Sequence, residues 1–316
     1  MQLILLGPQR PFANAPQALA ELDATGPIAV IAAGWRHDES DEALIQRHLG
    51  PQAHVLPLYA WFDAVMVQRE AMRAEYRARQ EALKELRTLH RLRLDRALAA
   101  MRDLLAHPAG DVSDALSRQA LDDVRRIDRQ LVNQTDAIME GHGRPWDDDP
   151  LVAQRQQQAR EILEQAQVIV LVGGDVAVLR SRLAFFRIGQ VLAELYRRGT
   201  VLVAWSAGAM ALTERIVLFY DDPPDGPANP EIFDRGEELV PGLVMLPHAR
   251  QRLDLEDPQR VRLLAQRLAP ATCLGLENGA WLVHTAEGWF NRGPARSATR
   301  LGLDGRVQSL PTWRGA

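Results

Sequence analysis

The sequence predicts an α/β chain, a doubly wound and mostly parallel sheet interrupted by a long helical insertion. Three features predict it. Short apolar runs that stop at glycine or proline recur towards both ends of the chain, as buried parallel strands do. One of them, VLVAW at Val201–Trp205, runs straight into Ser206 and a row of small residues that opens a helix. Between the two groups of strands, Trp61 to Leu105 has no proline, almost no strand-like alternation and a dense mixture of Arg, Glu, Leu and Ala, which is helix composition.

Taken in order, Gln2 to Leu6 and Ile28 to Ala33 are the first two strands, with an Ala/Leu-rich helical stretch between them, so the chain opens as a βαβ unit. Helical texture begins after Leu58. His107, Pro108, Ala109 and Gly110 break the first long helix, and Asp111 or Ser113 can cap a second. Leu94, Leu98, Met101 and Leu105 return to one face of the first helix, and Leu116, Val124, Ile127, Leu131 and Ile138 to one face of the second, so the two should pack as a hairpin. The hairpin ends at GHGRPWDDDP, Gly141 to Pro150, where Asp149 can cap and Pro150 can begin a third helix reaching Ala166. The expected organisation is therefore an α/β domain of residues 1–58 and 167–316, with 59–166 as an inserted helical hairpin subdomain that can fold outward at modest entropic cost.

Composition removes several classes of function. A length of 316 residues with 47% hydrophobic content is ample for a sizeable core. A formal net charge of −4 gives no electrostatic case for nucleic acid or an anionic membrane, and no apolar run approaches a membrane span. Lys84 is the only lysine, which reads as base composition. Ten basic and five acidic residues between Arg69 and Arg102 read as a solvated helical face. The one cysteine, Cys273, cannot form an internal disulfide and reads as core filler; a cytoplasmic address is expected.

The chemistry is concentrated at strand ends. A strand that enters a helix at Ser206 with Ala207 and Gly208 after it has the form of a nucleophile elbow, in which a strained serine is raised above the sheet and its near neighbours must be small. The usual glycine two residues before the serine is Ala204 here. Val168 to Val172 is a further buried strand followed by Gly173, Gly174 and Asp175, at the carboxyl end where open α/β sheets place ligands. The Gly174 amide, with the amide of Ala207 at the helix start, would make a pair of oxyanion donors. A serine needs a base, and of eight histidines His248 is the one that ends an apolar run, Leu243 to Pro247. Thr272 to Leu276 is another strand, ending at Glu277.

The segments AWSAGAM at 204–210, Asp221, LPHARQR at 246–252 and LGLENGAWLV at 274–283, with VIVLVGGDVAVL at 168–179, resemble the S51 serine peptidases, dipeptidase E and the cyanophycinases. The resemblance implies a flavodoxin-like sheet of the class I glutamine amidotransferase type, hydrolysis of small peptides or isopeptides, and no metal or organic cofactor. It assigns Ser206 as nucleophile and His248 as base, and offers Glu277 or Asp221 as the acid that orients the imidazole. Gly173, Asp175, Trp205, Arg250, Arg252 and Asn278 are the expected substrate contacts. The arginine that meets an acidic side chain in the dipeptidase branch falls near Asp257 or Pro258 here, and the cyanophycinase Asp-Gln-His element is Leu246, Pro247 and His248.

Two functions of different class follow. One is a serine peptidase; the other is a binding or assembly module on the same fold, with the helical insertion as its working surface. Glutamine amidotransfer is disfavoured, because its elbow carries cysteine. A homodimer is expected, with Leu94, Leu98, Leu131 and Ile138 divided between the hairpin core and an interface.

Overall fold

The computed structural model describes residues 3–140, 146–219, 229–285 and 288–312. The chain opens with β1 (Leu3–Leu6), α1 (Ala15–Glu21), β2 (Ile28–Ile31), α2 (Glu42–Leu49) and β3 (Ala53–Val55). Four helices follow without a strand: α3 (Leu58–Gln68), α4 (Glu70–Ala106), α5 (Asp111–Glu140) and α6 (Pro150–Gln165). Then come β4 (Val168–Leu171), α7 (Val176–Phe185), α8 (Ile188–Arg197), β5 (Val201–Trp205), α9 (Ala207–Leu212), β6 (Arg215–Leu218) and β7 (Glu231–Arg235). The last part holds β8 (Leu243–Pro247), α10 (Ala249–Arg252), α11 (Pro258–Leu268), β9 (Thr272–Leu276), β10 (Trp281–Thr285), β11 (Gly288–Asn291), β12 (Ala298–Leu301) and β13 (Val307–Ser309).

The central sheet has the order β11-β10-β1-β5-β4-β2-β3, parallel from β3 to β1 and antiparallel at β10 and β11. This is the doubly wound, mostly parallel α/β architecture that the sequence predicts. Its strands are apolar on both faces because both are covered. Leu3, Leu5, Ile31, Ile169, Leu171, Leu202 and Ala204 pack into a layer with α3 and α6 to α9, while Ile4, Leu6, Val30, Val170, Val203 and Trp205 meet α1 and α2. β8 and β9 belong to a second sheet, ordered β13-β12-β9-β8, and β6 and β7 form a separate ribbon.

The helical stretch departs from expectation in three ways. It breaks at Arg69, whose extended backbone (φ −126°, ψ 79°) separates α3 from α4. The break is held from outside, by an ion pair of 2.6 Å from Arg69 Nε to Asp149, the residue whose carboxylate also accepts from the Leu151 and Val152 amides and caps α6 as expected. Secondly, α3 and α6 bury Phe62, Val65, Val152, Ala159 and Leu163 in the same core as the sheet. An aromatic group of Phe62, Tyr76, Trp146 and Phe185, with ring centroids 5.0–6.3 Å apart, ties the base of α4 to α7. Gly141 to Pro145 lie outside the described residues.

Thirdly, the α4–α5 hairpin does not stand free. Leu94, Leu98 and Met101 pack on Val124 and Ile127, and Leu263 of α11 closes the same cluster. Leu94, Leu98 and Leu131 are therefore buried within one chain and unavailable to an interface, whereas Leu116 is 46% exposed. The hairpin is fastened by charge as well. Asp128 on α5 and Arg267 on α11 form a bidentate pair at 2.6 and 2.7 Å with both side chains at most 2% exposed, and Arg267 also donates to the Pro230 carbonyl at 2.6 Å. His90 Nε2 on α4 lies 3.8 Å from the same carboxylate; burial pushes its pKa down to about 4, so it is neutral at pH 7. Arg91 pairs with Glu231, and Arg235 with Asp136, around the rim. No helix among the described residues is long and apolar enough to cross a membrane.

Breaking the buried pair from one side strands a charge. Asp128→Leu is expected to lower unfolding free energy by about 3–5 kcal/mol, and the double change Asp128→Leu with Arg267→Met to restore most of it. Guanidinium unfolding of the three proteins measures both; a loss under about 1 kcal/mol for the single change would show that the pair does not fasten the hairpin.

Candidate active site

The site begins with backbone geometry. Ser206 lies between β5 and α9 at φ +49° and ψ −117°, a strained conformation for a residue with a side chain. Both flanks hold it there: its amide donates to the Leu6 carbonyl at 3.3 Å, and its carbonyl accepts from Met210 at 3.0 Å. Two residues on, a Cβ at Gly208 would lie 2.2 Å from the Leu171 carbonyl oxygen, so the helix starts pressed against the end of β4. Ala204, where the elbow pattern has glycine, is fully buried with its methyl in the packed layer.

The neighbouring strand end supplies donors. Gly174 has φ +120°, and a Cβ there would sit 2.6 Å from the Gly34 carbonyl oxygen. Its amide makes no hydrogen bond among the described residues. Ala207 is the first residue of α9, where an amide has no carbonyl within the helix to receive it. Both residues line a cavity of about 290 Å³ that they share with Ser206, His248, Phe219 and Arg252. Asp175 accepts from the Ala177 and Val178 amides, capping α7, and pairs with Arg36, so it braces the glycine turn.

His248 follows β8 in a left-handed conformation (φ +57°, ψ 35°) and Glu277 follows β9, the parallel neighbour in which Leu276 is in register with Pro247. The His248 amide donates to the Leu276 carbonyl at 2.9 Å, which fixes the two ends side by side. The Glu277 carboxylate accepts from the Arg250 amide at 2.8 Å. Asp221 lies outside the described residues. Ser206 Oγ makes no hydrogen bond among the described residues, yet Ser206 and His248 line both the cavity above and a larger cleft of about 550 Å³ on the opposite side. Ser206 and His248 thus face one space, with the Gly174 and Ala207 amides beside them in the smaller cavity.

The sequence model of peptidase family S51 matches residues 128–290, just over half of the chain. The chain belongs to peptidase family S51. A peptidase from an acI-B1 Actinobacterium is similar in structure, with 14% sequence identity, a TM-score of 0.49, and coverage of 98% of this chain and 94% of the other. No curated protein matches the sequence.

Within this S51 chain the expected contacts divide. Gly173 and Trp205 line the large cleft and Arg252 the small cavity. Arg250 lines neither: it is exposed and donates to the Arg296 carbonyl at 3.1 Å. Asn278 is committed to backbone, donating to the Pro8 and Phe12 carbonyls at 2.6 and 2.8 Å and accepting from Phe12, so it fixes the loop after β1 that walls the cleft. Sequence reasoning missed that loop and the one after β2, which bring Arg10, Trp35 and Asp38 to the cleft, with Leu44 and His48 from α2. The available signal was that both loops leave the carboxyl ends of parallel strands, as Gly174 and Ser206 do.

Cys273 is fully buried and unpaired, and burial pushes its thiol up to about 12, so it is protonated and inert. Glu39, in the segment that carries Gly34 and Trp35, is 1% exposed and accepts from the Tyr59 and Ala60 amides at the start of α3. Burial raises its carboxyl from the ordinary 4.5 to about 7, against the pull of those amides and of Arg182. The folded state therefore holds the proton more tightly than the unfolded chain. The stability this gives is complete below about pH 4.5 and is lost as pH rises through about 7, on the order of 3 kcal/mol. Glu39→Gln is expected to remove that slope, measured as the difference between wild-type and variant unfolding free energies from pH 4.5 to 8.

Proposed function

We propose that the protein is a serine peptidase that cleaves short peptides or isopeptides by acyl transfer. The observation that carries the reading is the strained Ser206 facing the same cavities as His248 beside the Gly174 and Ala207 amides. His248 takes the hydroxyl proton as Ser206 Oγ attacks the carbonyl carbon; the two amides hold the resulting oxyanion. The tetrahedral species collapses, the scissile C–N bond breaks, and His248 gives its proton to the leaving amine. Water, deprotonated by His248, then hydrolyses the ester and returns Ser206. The bond from the Arg250 amide to Glu277 supports Glu277 as the residue that positions the turn after β8, with Asp221 as the acid that orients the imidazole.

A fluorophosphonate is expected to label the folded protein at Ser206, and Ser206→Ala or His248→Gln to lower peptide hydrolysis at least about a thousand-fold with unchanged folding. Asp221→Asn should approach that loss, while Glu277→Gln should stay within about tenfold. The reverse order would make Glu277 the acid, and an unlabelled, fully folded wild-type protein would remove the serine peptidase altogether.

We also propose a cytoplasmic homodimer, with the organisation given by residues 1–58 and 167–316 as the hydrolytic unit and 59–166 as its helical addition. An apolar groove of about 640 Å³ between α4 and α5, lined by Ala78, Ala82, Leu86, Ala137 and Ile138, supports a second copy as partner. Light scattering on the full chain should give a dimer mass at micromolar concentration, reduced to a monomer by Leu86→Glu; a wild-type monomer overturns the dimer and leaves the peptidase reading untouched.

A further inference from the structure

The large cleft beside Ser206 has a chemical character that no expectation from the sequence contains. It lies on the face of the sheet covered by α1 and α2, and its volume of about 550 Å³ is within the range that holds a small ligand. Trp35, Leu44, Ile45, Leu49, Val172 and Trp205 are the large apolar residues of its lining, with Trp35 and Leu44 the more open of them. Its formal charges are one cation and one anion, Arg10 and Asp38, and neither makes an ion pair among the described residues. His48 directs Nδ1 to the Leu44 carbonyl at 2.8 Å. The two arginines that follow His248 do not enter this cleft: Arg250 is tied to the Arg296 carbonyl, and Arg252 lines the smaller cavity on the other side of the serine.

A site that selects an acidic side chain needs an excess of donors or positive charge where that carboxylate would be desolvated. This cleft offers balanced charges and a wall of two indoles and branched aliphatic groups, which favour an apolar group removed from water. We infer that the residue bound in this cleft carries a large apolar side chain, so that the substrates are short peptides with a leucine- or phenylalanine-like residue beside the scissile bond. The inference rests on the serine peptidase reading for the chemistry and on the cleft wall for the selectivity.

Both parts can be separated in one set of measurements. With wild-type protein, kcat/KM for Leu-Leu and Phe-Leu is expected to exceed that for Asp-Leu and Arg-Leu at least about tenfold. In the Ser206→Ala protein, which binds without turnover, titration followed by tryptophan fluorescence from Trp35 and Trp205 should rank the same dipeptides in the same order. Leu44→Arg should narrow or invert the ranking by lowering affinity for Leu-Leu and raising it for Asp-Leu; should that variant fail to fold, the ranking on the unaltered cleft still decides. Tighter or equal binding of Asp-Leu overturns the inference whether or not hydrolysis is seen. Apolar dipeptides bound as ranked, together with wild-type protein that neither hydrolyses them nor reacts with a fluorophosphonate, would sink the peptidase reading while leaving the character of the cleft standing.

Discussion

The contact between Gly208 and the Leu171 carbonyl sets the arrangement of the site. Because the first turn of α9 rests on the end of β4, with no room for a Cβ, the chain has one residue in which to leave β5 and enter the helix. That residue is Ser206, and the positive φ it adopts is the geometric result. The same contact brings the unpaired amide of Ala207 to the end of β4, where the turn through Gly174 presents another. The strain at Ser206, of order 1–3 kcal/mol, persists because hydrogen bonds to Leu6 and from Met210 fix both sides of it.

The parts of the fold legible in the sequence are those governed by local constraints. β5, β8 and β9 fall on the residues their apolar runs mark, since a strand buried on both faces has no polar residue to blur its ends. Asp149 and Pro150 start α6 where a cap followed by proline must. The α4–α5 pairing follows from two stripes. What was not legible depends on partners far along the chain. Arg69 ends a helix through a carboxylate at Asp149, and no local rule forbids helix there. Asp128 and Arg267 are 139 residues apart, and each alone reads as a surface charge on an amphipathic helix.

The candidate site divides in the same way. Ser206, Gly174 and His248 announce themselves as polar or glycine residues at the ends of apolar runs. Glu277 does too, and its engagement with the Arg250 amide is visible only in three dimensions. Asn278 and Asp175 have the residue types of ligand contacts but are taken up in holding loops. The cleft wall was hidden for a different reason: Trp35, Leu44 and Leu49 have the pattern of ordinary core residues, and only the open volume in front of them distinguishes a binding wall from a packed one.

The two halves of the candidate site stand on different sheets. Ser206 and Gly174 end strands of the central sheet, whereas His248 and Glu277 end strands of the second. Within each sheet hydrogen bonds fix neighbours closely; across the seam α9 is lodged against both β5 and β8, and the Glu214 amide just beyond it donates to the Leu243 carbonyl at 3.1 Å. The placing of Ser206 relative to His248 accordingly depends on the packing and hydrogen bonds across this joint. Met210, which lines the small cavity, and Leu212, fully buried behind it, hold α9 in place; for a reaction at such a joint a displacement of 1 Å is worth on the order of a hundredfold in rate. The buried methyl groups of α9 therefore govern the candidate site as much as the polar residues that face it.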